Sequence, residues 1–585
     1  MSTVFRSPND KTLLWVIIGS ALLVRLWGIT YGLPASYYST EYFIAKDALS
    51  LGARQTLEPL QFIYPAFYTY VITALYAVCY LLGMGLGVFR SPVDFAMQFL
   101  ENPTCFYLTG RLLNALLFVL AAGLFYRTVR YWLPRTKALL LALLFVFSGI
   151  FHRYTFWMVP DGLLLAGTVV SLYFLIRYRE DGYAWKFLLL GAMITGLTIS
   201  AKYNAGFLTA GWLAAVWWWG NFTTRERWQR FLVTLVLIVT GFLCGSPYWL
   251  LDFSRYLEGL RTVWSQSRYL FEPGSREMFL WEFRAMVQHD ALLGVVFIFL
   301  LFQSLFRRNR LRGPLVLMAL PTFLLVATRA KKGLDYMLIV FPVLLLLAAE
   351  WMRQHNTRWV STVFNGVLLV ALFINIPARL YDDFLRTQPD TRQQTREWIM
   401  KHLPAGSPIC YDHYHYDLGL IDVHRFRESG KGSRMLSPEI KARLIELENL
   451  PIQYRFVSPL RELKQPAVSD SLRALVENDP FLREVFTHPH KTLSEIRAEG
   501  ARLLILNSET YRKYLGAAVP PPENPFRLEW MRRKQFYQAV LNILPEVTCF
   551  TPDWNHPGPE IRIFRLEPDP DEPVNEESNR SSSKM

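Results

Sequence analysis

Long apolar runs decide what this chain can fold into. Leu13–Leu33, Trp228–Leu251 and Trp359–Ile376 are each long enough to cross a hydrocarbon core of roughly 30 Å. Water cannot satisfy backbone N–H and C=O groups inside a bilayer, so such runs fold as helices. Charged residues make up 19% of the chain and hydrophobic residues 52%. Soluble domains usually carry about 25% charged residues and no apolar runs of this length. The runs end near residue 377. The first two thirds therefore read as a polytopic α-helical membrane domain and the last third as soluble. The first run carries Arg25 and lacks a small-x-small site, so it reads as a retained span and not as a cleaved leader.

Charge sets the expected topology. The net charge is +14. In a membrane protein, Lys and Arg in cytoplasmic loops account for such an excess, and a nucleic-acid-binding face is not expected. If Tyr64–Phe89 spanned the membrane, the loop with Arg127, Arg130, Arg135 and Lys137 would fall outside. Placing Tyr64–Phe89 at the outer face, as an in-plane or re-entrant helix buried by protein, repairs the pattern. About eleven spans then follow: 12–32, 108–126, 138–152, 161–177, 187–201, 204–220, 231–251, 290–306, 313–328, 334–351 and 359–377. The N-terminus is expected in the cytoplasm and the C-terminal domain outside it. The sequon Asn221-Phe222-Thr223 falls on the inner side.

The expected domains are a membrane domain over 1–377, with a first outer loop over 33–107, a soluble extracytoplasmic α/β domain over 378–566, and a disordered acidic, Ser-rich tail over 567–585. In the α/β domain, Ser407–Tyr411 and Arg502–Leu506 read as buried strands. Arg392–His402 and Pro438–Leu447 read as helices, the second with Ser437 as N-cap and Pro438 at the first helical position. The five cysteines form no CxxC pair, so zinc is not expected. Cys410 and Cys549 either pair in an oxidising compartment or remain thiols.

Ionisable groups at the edge of hydrocarbon are expensive and usually mark a substrate or ion path. Glu41 follows the first run, Arg111 opens another, Asp161 opens a third and Lys202 ends a fourth. With the topology above, all four share the outer face. Glu41 there is suited to accept a proton from an incoming hydroxyl or amine, or is an ordinary loop acid. Asp161, in Val159-Pro160-Asp161, is either a helix-start residue or a second catalytic acid. Arg111 and Lys202 either reach for a phosphate or snorkel to the interface. Arg329, Lys331 and Lys332 crowd one short outer turn, against the positive-inside rule, and suggest an anionic ligand or anionic head groups. Tyr64, Tyr68, Tyr70, Trp157, Trp249 and Trp264 gather at the expected interface.

Five strings in order resemble the GT-C class of membrane glycosyltransferases, with the protein O-mannosyltransferases and the lipid A aminoarabinose transferases as the most similar families. They are YYSTEYFIAKDALSLG with FIYPAFYTYV, LTGRLLNALLFVLAAGLFYR, FHRYTFWMVPDGLLL, GLTISAKYNAGFL and LDYMLIVFPVLLLLAAE. The resemblance spans roughly residues 12–350. It implies inverting sugar transfer from a polyprenyl-phosphate donor at the outer leaflet, independent of metal or loosely dependent on a divalent cation. It implies a first-loop acid as base, with in-plane helices after the first span. Thr40-Glu41 stands where the family carries Asp-Glu, which leaves Glu41 as the candidate base. Asp335 precedes Tyr336 where relatives carry a basic residue.

The expected site is thus Glu41 and Asp161 as catalytic acids, and Arg111, Lys202, Arg329, Lys331 and Lys332 on the donor phosphate. Tyr64, Tyr203, His152 and Tyr336 are expected to line the substrate. Expected partners are a polyprenyl-phosphate-linked sugar, membrane lipid and an acceptor that is protein, lipid or glycan. A bacterial inner membrane is the expected location, given the absence of an endoplasmic-reticulum retrieval signal. Two other readings compete: an inactive GT-C scaffold, motivated by Thr40, and a transporter or flippase of lipid-linked glycans. Against the latter, the sequence shows no inverted repeat and no paired broken spans.

Overall fold

The computed structural model describes residues 8–269, 284–290, 300, 303, 312–328, 333–355, 357–413, 415–422, 438–516 and 519–566. The expected span 290–306 falls almost entirely outside these residues, as do Arg329, Lys331, Lys332, the N-cap Ser437 and the tail 567–585. The chain divides into two compact units. The first takes in residues 1–389 together with 469–484 and 520–526. The second takes in 390–468, 485–519 and 527–585.

The first unit is helical throughout its described residues. Its helices are α1 (Pro8–Leu26), α2 (Ser39–Arg54), α3 (Phe67–Gly85), α4 (Pro92–Glu101), α5 (Thr104–Val129), α6 (Arg135–Val146), α7 (Gly149–Tyr154) and α8 (Asp161–Glu180). There follow α9 (Trp185–Ile199), α10 (Phe207–Trp218), α11 (Thr224–Gly245), α12 (Tyr248–Leu251), α13 (Phe253–Tyr269), α14 (Arg312–Ala327), α15 (Val340–Gln354) and α16 (Arg358–Leu385). Six stretches among the described residues are long and apolar enough to cross a membrane: α3, α5, the α6–α7 stretch Arg135–Tyr154, α8, α11 and α16. α9 and α14 are apolar but shorter. The molecule is a multi-pass helical membrane protein.

By length and apolarity α3 qualifies as a span, but its packing sets it apart. Tyr68 bonds Asn114 on α5, and Tyr76, eight residues on, bonds the Phe106 carbonyl, eight residues back. The two helices therefore run antiparallel. α3 starts beside Asn114 of α5 and reaches the level of Phe106 after about 12 Å, at 1.5 Å per residue. Its start is pinned by Phe67 N–H donating to the Ser200 carbonyl and Ala66 N–H donating to the Ser246 hydroxyl. α3 thus packs antiparallel against the Thr104 half of α5, with its start beside the ends of α9 and α11.

Small residues let the central helices touch. A Cβ on Gly196 of α9 would sit 2.1 Å from the Ile238 carbonyl of α11, and one on Gly241 would sit 2.4 Å from the Met193 carbonyl. Backbones packed this closely gain dispersion energy that lipid cannot supply. Gly196→Ala is expected to cost about 1–3 kcal/mol through forced separation, read as a lowered thermal midpoint in detergent. α7 is held from outside its own sequence. Asp290 accepts from the Ser148 hydroxyl at 2.8 Å, Gly149 N–H at 2.8 Å and Ile150 N–H at 3.2 Å, satisfying the free donors of that short helix.

The second unit is built on a five-stranded sheet of order β2-β1-β3-β5-β4. The strands are β1 (Pro408–Tyr411), β2 (Arg455–Val457), β3 (Leu503–Asn507), β4 (Glu546–Phe550) and β5 (Ile561–Arg565). β2, β1 and β3 are parallel; β5 is antiparallel to both β3 and β4. All of Leu503–Asn507 is buried, as expected for a parallel strand covered on both faces. The expected strands and helices appear within one or two residues, the helices as Thr391–His402 and Pro438–Glu448. Cys410 lies on β1 and Cys549 on β4, three strand positions apart. At about 4.8 Å per strand that separation is roughly 14 Å, far beyond disulfide reach. Both are free thiols.

Asp412 follows β1 and is buried; one of its oxygens accepts Asn507 N–H at 2.7 Å. Burial pushes its carboxyl up to about 7, against the pull of that hydrogen bond. The native state therefore keeps a proton that the unfolded chain releases near pH 4. Stability is full below that range and is lost as pH rises through about 7. Asp412→Asn is expected to match the parent at pH 4 and exceed it by about 2–4 kcal/mol at pH 8. Hydrogen exchange of the β3 amides in the full chain checks this.

Candidate functional site

The expected site residues fall into three separate groups in the first unit. The first is an acid–lysine–acid array. Asp161 is the first residue of α8, and Lys202 precedes the 3₁₀ turn Tyr203–Gly206. Asp335 lies in the 3₁₀ turn Leu334–Met337. The Lys202 ammonium lies 2.8 Å from Asp161 Oδ1 and 2.7 Å from Asp335 Oδ2. Lys202 and Asp161 are buried, while the Asp335 side chain is 20% exposed and marks the open side. Asn204 fixes the two turns against each other by donating to the Tyr336 carbonyl at 3.1 Å.

Half-buried tyrosines surround the array. The Tyr336 ring lies under Lys202 Nζ at 5.2 Å. Tyr38, Tyr64 and Tyr154 stand within Coulombic reach of Asp161, Lys202 and Asp335. Tyr38 also stacks on Trp157 with ring centroids 5.7 Å apart. Two carboxylates against one ammonium leave the array with a net negative charge. Two of the three N–H donors of Lys202 are taken by those carboxylates.

The second group is a buried ion pair. Arg111 holds Glu41 through a two-pronged contact, Nε to Oε1 and Nη2 to Oε2, both at 2.8 Å. Arg111 also donates to the carbonyls of Ile29 at 2.9 Å and Tyr31 at 2.7 Å. Glu41 further accepts Met158 N–H at 2.8 Å, while the nearby Ser36 hydroxyl donates to the Tyr38 carbonyl at 2.9 Å. Glu41 is 0% exposed and Arg111 1%. The geometry gives these two residues a different occupation from the one expected of them. Three donors hold this carboxylate away from solvent, and four of the five guanidinium N–H groups are spent on one carboxylate and two carbonyls, so the pair reads as a structural lock.

The third group shares the Phe156 ring with Arg111, Arg386 lying 3.9 Å and Arg111 5.4 Å from its centroid. His152 Nε2 lies 3.0 Å from Asp383 Oδ1, and its carbonyl receives Arg25 and Arg386 at 3.3 Å each. His152 is 1% exposed. It ties α7 to the ends of α1 and α16 and does not line the array. Tyr203 also turns away, packing edge-on against Tyr256 of α13 at 5.9 Å. Arg329, Lys331 and Lys332 lie outside the described residues.

Asp335 was not among the expected site residues. Its signal was present as an acid next to Tyr336 in a short interhelical turn. Asn114 was also passed over; it sits one helical turn beyond Arg111, as an amide inside an apolar run. Among the described residues no three His, Cys, Asp or Glu side chains converge as a metal site would require.

The fold and the buried charges at the helix ends define a multi-pass helical membrane protein. Residues 107–249, which carry Arg111, Asp161 and Lys202, match the profile of the dolichyl-phosphate-mannose-protein mannosyltransferase family. No curated protein sequence matches the chain significantly. Among solved structures, ArnT from Cupriavidus metallidurans bound to undecaprenyl phosphate is 13% identical, with 96% of this chain and 99% of that one covered and a TM-score of 0.46. The Archaeoglobus fulgidus oligosaccharyltransferase in its apo form is 10% identical, over 86% of this chain and 71% of that one, with a TM-score of 0.46. The S. cerevisiae protein O-mannosyltransferase Pmt1-Pmt2 complex bound to its sugar donor is 18% identical, over 43% and 34% of the two chains, with a TM-score of 0.34. These are likenesses at low identity.

Proposed function

We propose that this protein is a membrane glycosyltransferase that moves a sugar from a polyprenyl-phosphate donor to an acceptor at the outer face of a bacterial inner membrane. The observation that carries this reading is the Asp161–Lys202–Asp335 array, assembled from three helix ends and ringed by tyrosines, within or beside the family-matched stretch. In this reading Asp161 takes the proton of the acceptor hydroxyl. The acceptor oxygen forms a bond to the anomeric carbon as the bond from that carbon to the phosphate oxygen breaks. The polyprenyl phosphate leaves with the electron pair. Negative charge grows on the leaving phosphate, and a fixed cation beside it lowers the barrier. Lys202 supplies that cation with its remaining donor. Arg329, Lys331 and Lys332, three to six residues before Asp335 in the sequence, are assigned to further phosphate contacts.

The position of α3 supports the outer-face assignment. Its contacts with α5, Tyr68 to Asn114 and Tyr76 to Phe106, lie in the Thr104 half of that helix, away from the basic loop Arg127–Lys137 that is expected in the cytoplasm. The test is transfer by purified protein in vesicles, given undecaprenyl-phosphate carrying a radiolabelled hexose or pentose and a membrane extract as acceptor source. Label appearing on an acceptor, with release of polyprenyl phosphate, supports the reading. Movement of intact donor between leaflets without cleavage would mark a flippase, and neither event would mark a scaffold.

A further inference from the structure

We infer that Asn114 is a positioning residue for Asp161, acting through the peptide groups of Trp157–Val159. The inference rests on the transferase reading above. Asp161 is the acid of that reading, yet nothing in its own helix fixes where α8 begins. The preceding chain does. Asn114 Nδ2 donates to the Trp157 carbonyl at 2.5 Å and to the Val159 carbonyl at 3.0 Å. Between them, Met158 N–H donates to Glu41 at 2.8 Å, and Val159 N–H donates back to the Trp157 carbonyl at 2.9 Å. Three consecutive residues are thus held by side chains from two other helices. Pro160 then fixes φ at −59°, and its carbonyl accepts Leu164 N–H at 2.8 Å, the first turn of α8. One residue with a ring-locked φ therefore separates the held peptides from Asp161.

The surrounding sequence is cut to admit this contact. A Cβ on Gly162 would meet the Asn114 amide at 2.5 Å, and one on Gly110 would meet the Met158 side chain at 1.9 Å. Asn114 is 0% exposed, and its own amide is oriented by the Tyr68 hydroxyl, which donates to Asn114 Oδ1 at 3.3 Å. Tyr68 lies on α3, so that helix reaches the acid through one amide. In the chain Tyr68–Asn114–Trp157/Val159–Asp161 only the last residue is assigned a part in the reaction; the others act through it. It sets the acid's distance from the reacting hydroxyl, where displacements near 1 Å cost on the order of 100-fold in rate.

Two variants test this against a purely structural role. Asn114→Leu keeps the buried volume and removes the two donors. Tyr68→Phe keeps the ring and frees the amide to turn. With the labelled donor in vesicles and rates taken per folded molecule, Asn114→Leu is expected to lower kcat about 10- to 100-fold with donor KM within about twofold. Tyr68→Phe is expected to lower kcat about 3- to 10-fold, and Asn114→Gln to recover part of the loss. If both variants keep parental kcat per folded molecule while only their melting temperatures fall, the positioning role is overturned. Asp161→Asn, run in parallel, separates this from failure of the transferase reading: if that variant is fully active, the reading itself falls.

Discussion

Asp161→Asn is expected to lower sugar transfer by about two to four orders of magnitude, the range lost when a positioned acid–base group is removed. The substitution is close to isosteric. Its amide oxygen still accepts from Lys202, which lies 2.8 Å from the present Oδ1, so the start of α8 is expected to stay in place. What disappears is the negative charge and the ability to take a proton. Donor binding is therefore expected to persist, and the loss to appear in kcat. Asp335→Asn at the more open end of the array is expected to cost less, because Lys202 keeps its partner in Asp161. Lys202→Met leaves two carboxylates facing one another without the ammonium and is expected to damage both donor binding and turnover. The measurement is transfer of radiolabel together with retention of the lipid-linked donor by the same vesicles. Full activity in Asp161→Asn would remove this residue from the reaction.

The second large effect is on folding. Arg111→Ala strands Glu41 as an unpaired charge at a position that is 0% exposed. Breaking a buried pair from one side typically costs about 3–5 kcal/mol. The cost is compounded because the carbonyls of Ile29 and Tyr31 lose their donor as well. Loss of monodisperse protein on extraction into detergent is the expected readout, and Arg111→Lys recovers little because a lysine cannot reproduce the two-pronged contact. Glu41→Gln separates the two roles considered for that residue. A catalytic base replaced by its amide leaves a normally folded, inactive protein. The geometry here predicts the reverse, a lowered melting temperature with transfer per folded molecule retained in large part. Replacing both partners with Leu and Met is expected to recover only part of the stability, since Met158 N–H and the two carbonyls remain unpaired.

The membrane domain was legible because hydropathy is a property of the chain itself. Runs such as Trp228–Leu251 must be helical in a bilayer whatever packs against them. The strands around Cys410 and Leu504 were legible for a related reason, since a parallel strand covered on both faces is a short unbroken apolar run between turn residues. The pairing of charges was not legible in this way. Glu41 and Arg111 are 70 residues apart in sequence, and Lys202 and Asp335 are 133 apart. Sequence order carries no distance at that range. Each charge could be placed near a helix end, and family strings singled out Asp161 and Lys202. Asp335 looked like a departure from the pattern until the turn that carries it was seen to close on Lys202. His152 sits nine residues before Asp161, yet the break between α7 and α8 turns it toward Asp383.

What the sequence alone determined is where the chain meets lipid, since transfer free energy sums over local residues and needs no partner. It also determined that costly charges stand at the ends of apolar helices. Only the tertiary structure decided which charge answers which. An ion pair in a dry interior depends on separations of about 3 Å and on which lone pairs are already occupied. Helix packing sets those separations, and it put Glu41 against Arg111 while placing Asp161 and Lys202 beside Asp335, which marks the open side of their array.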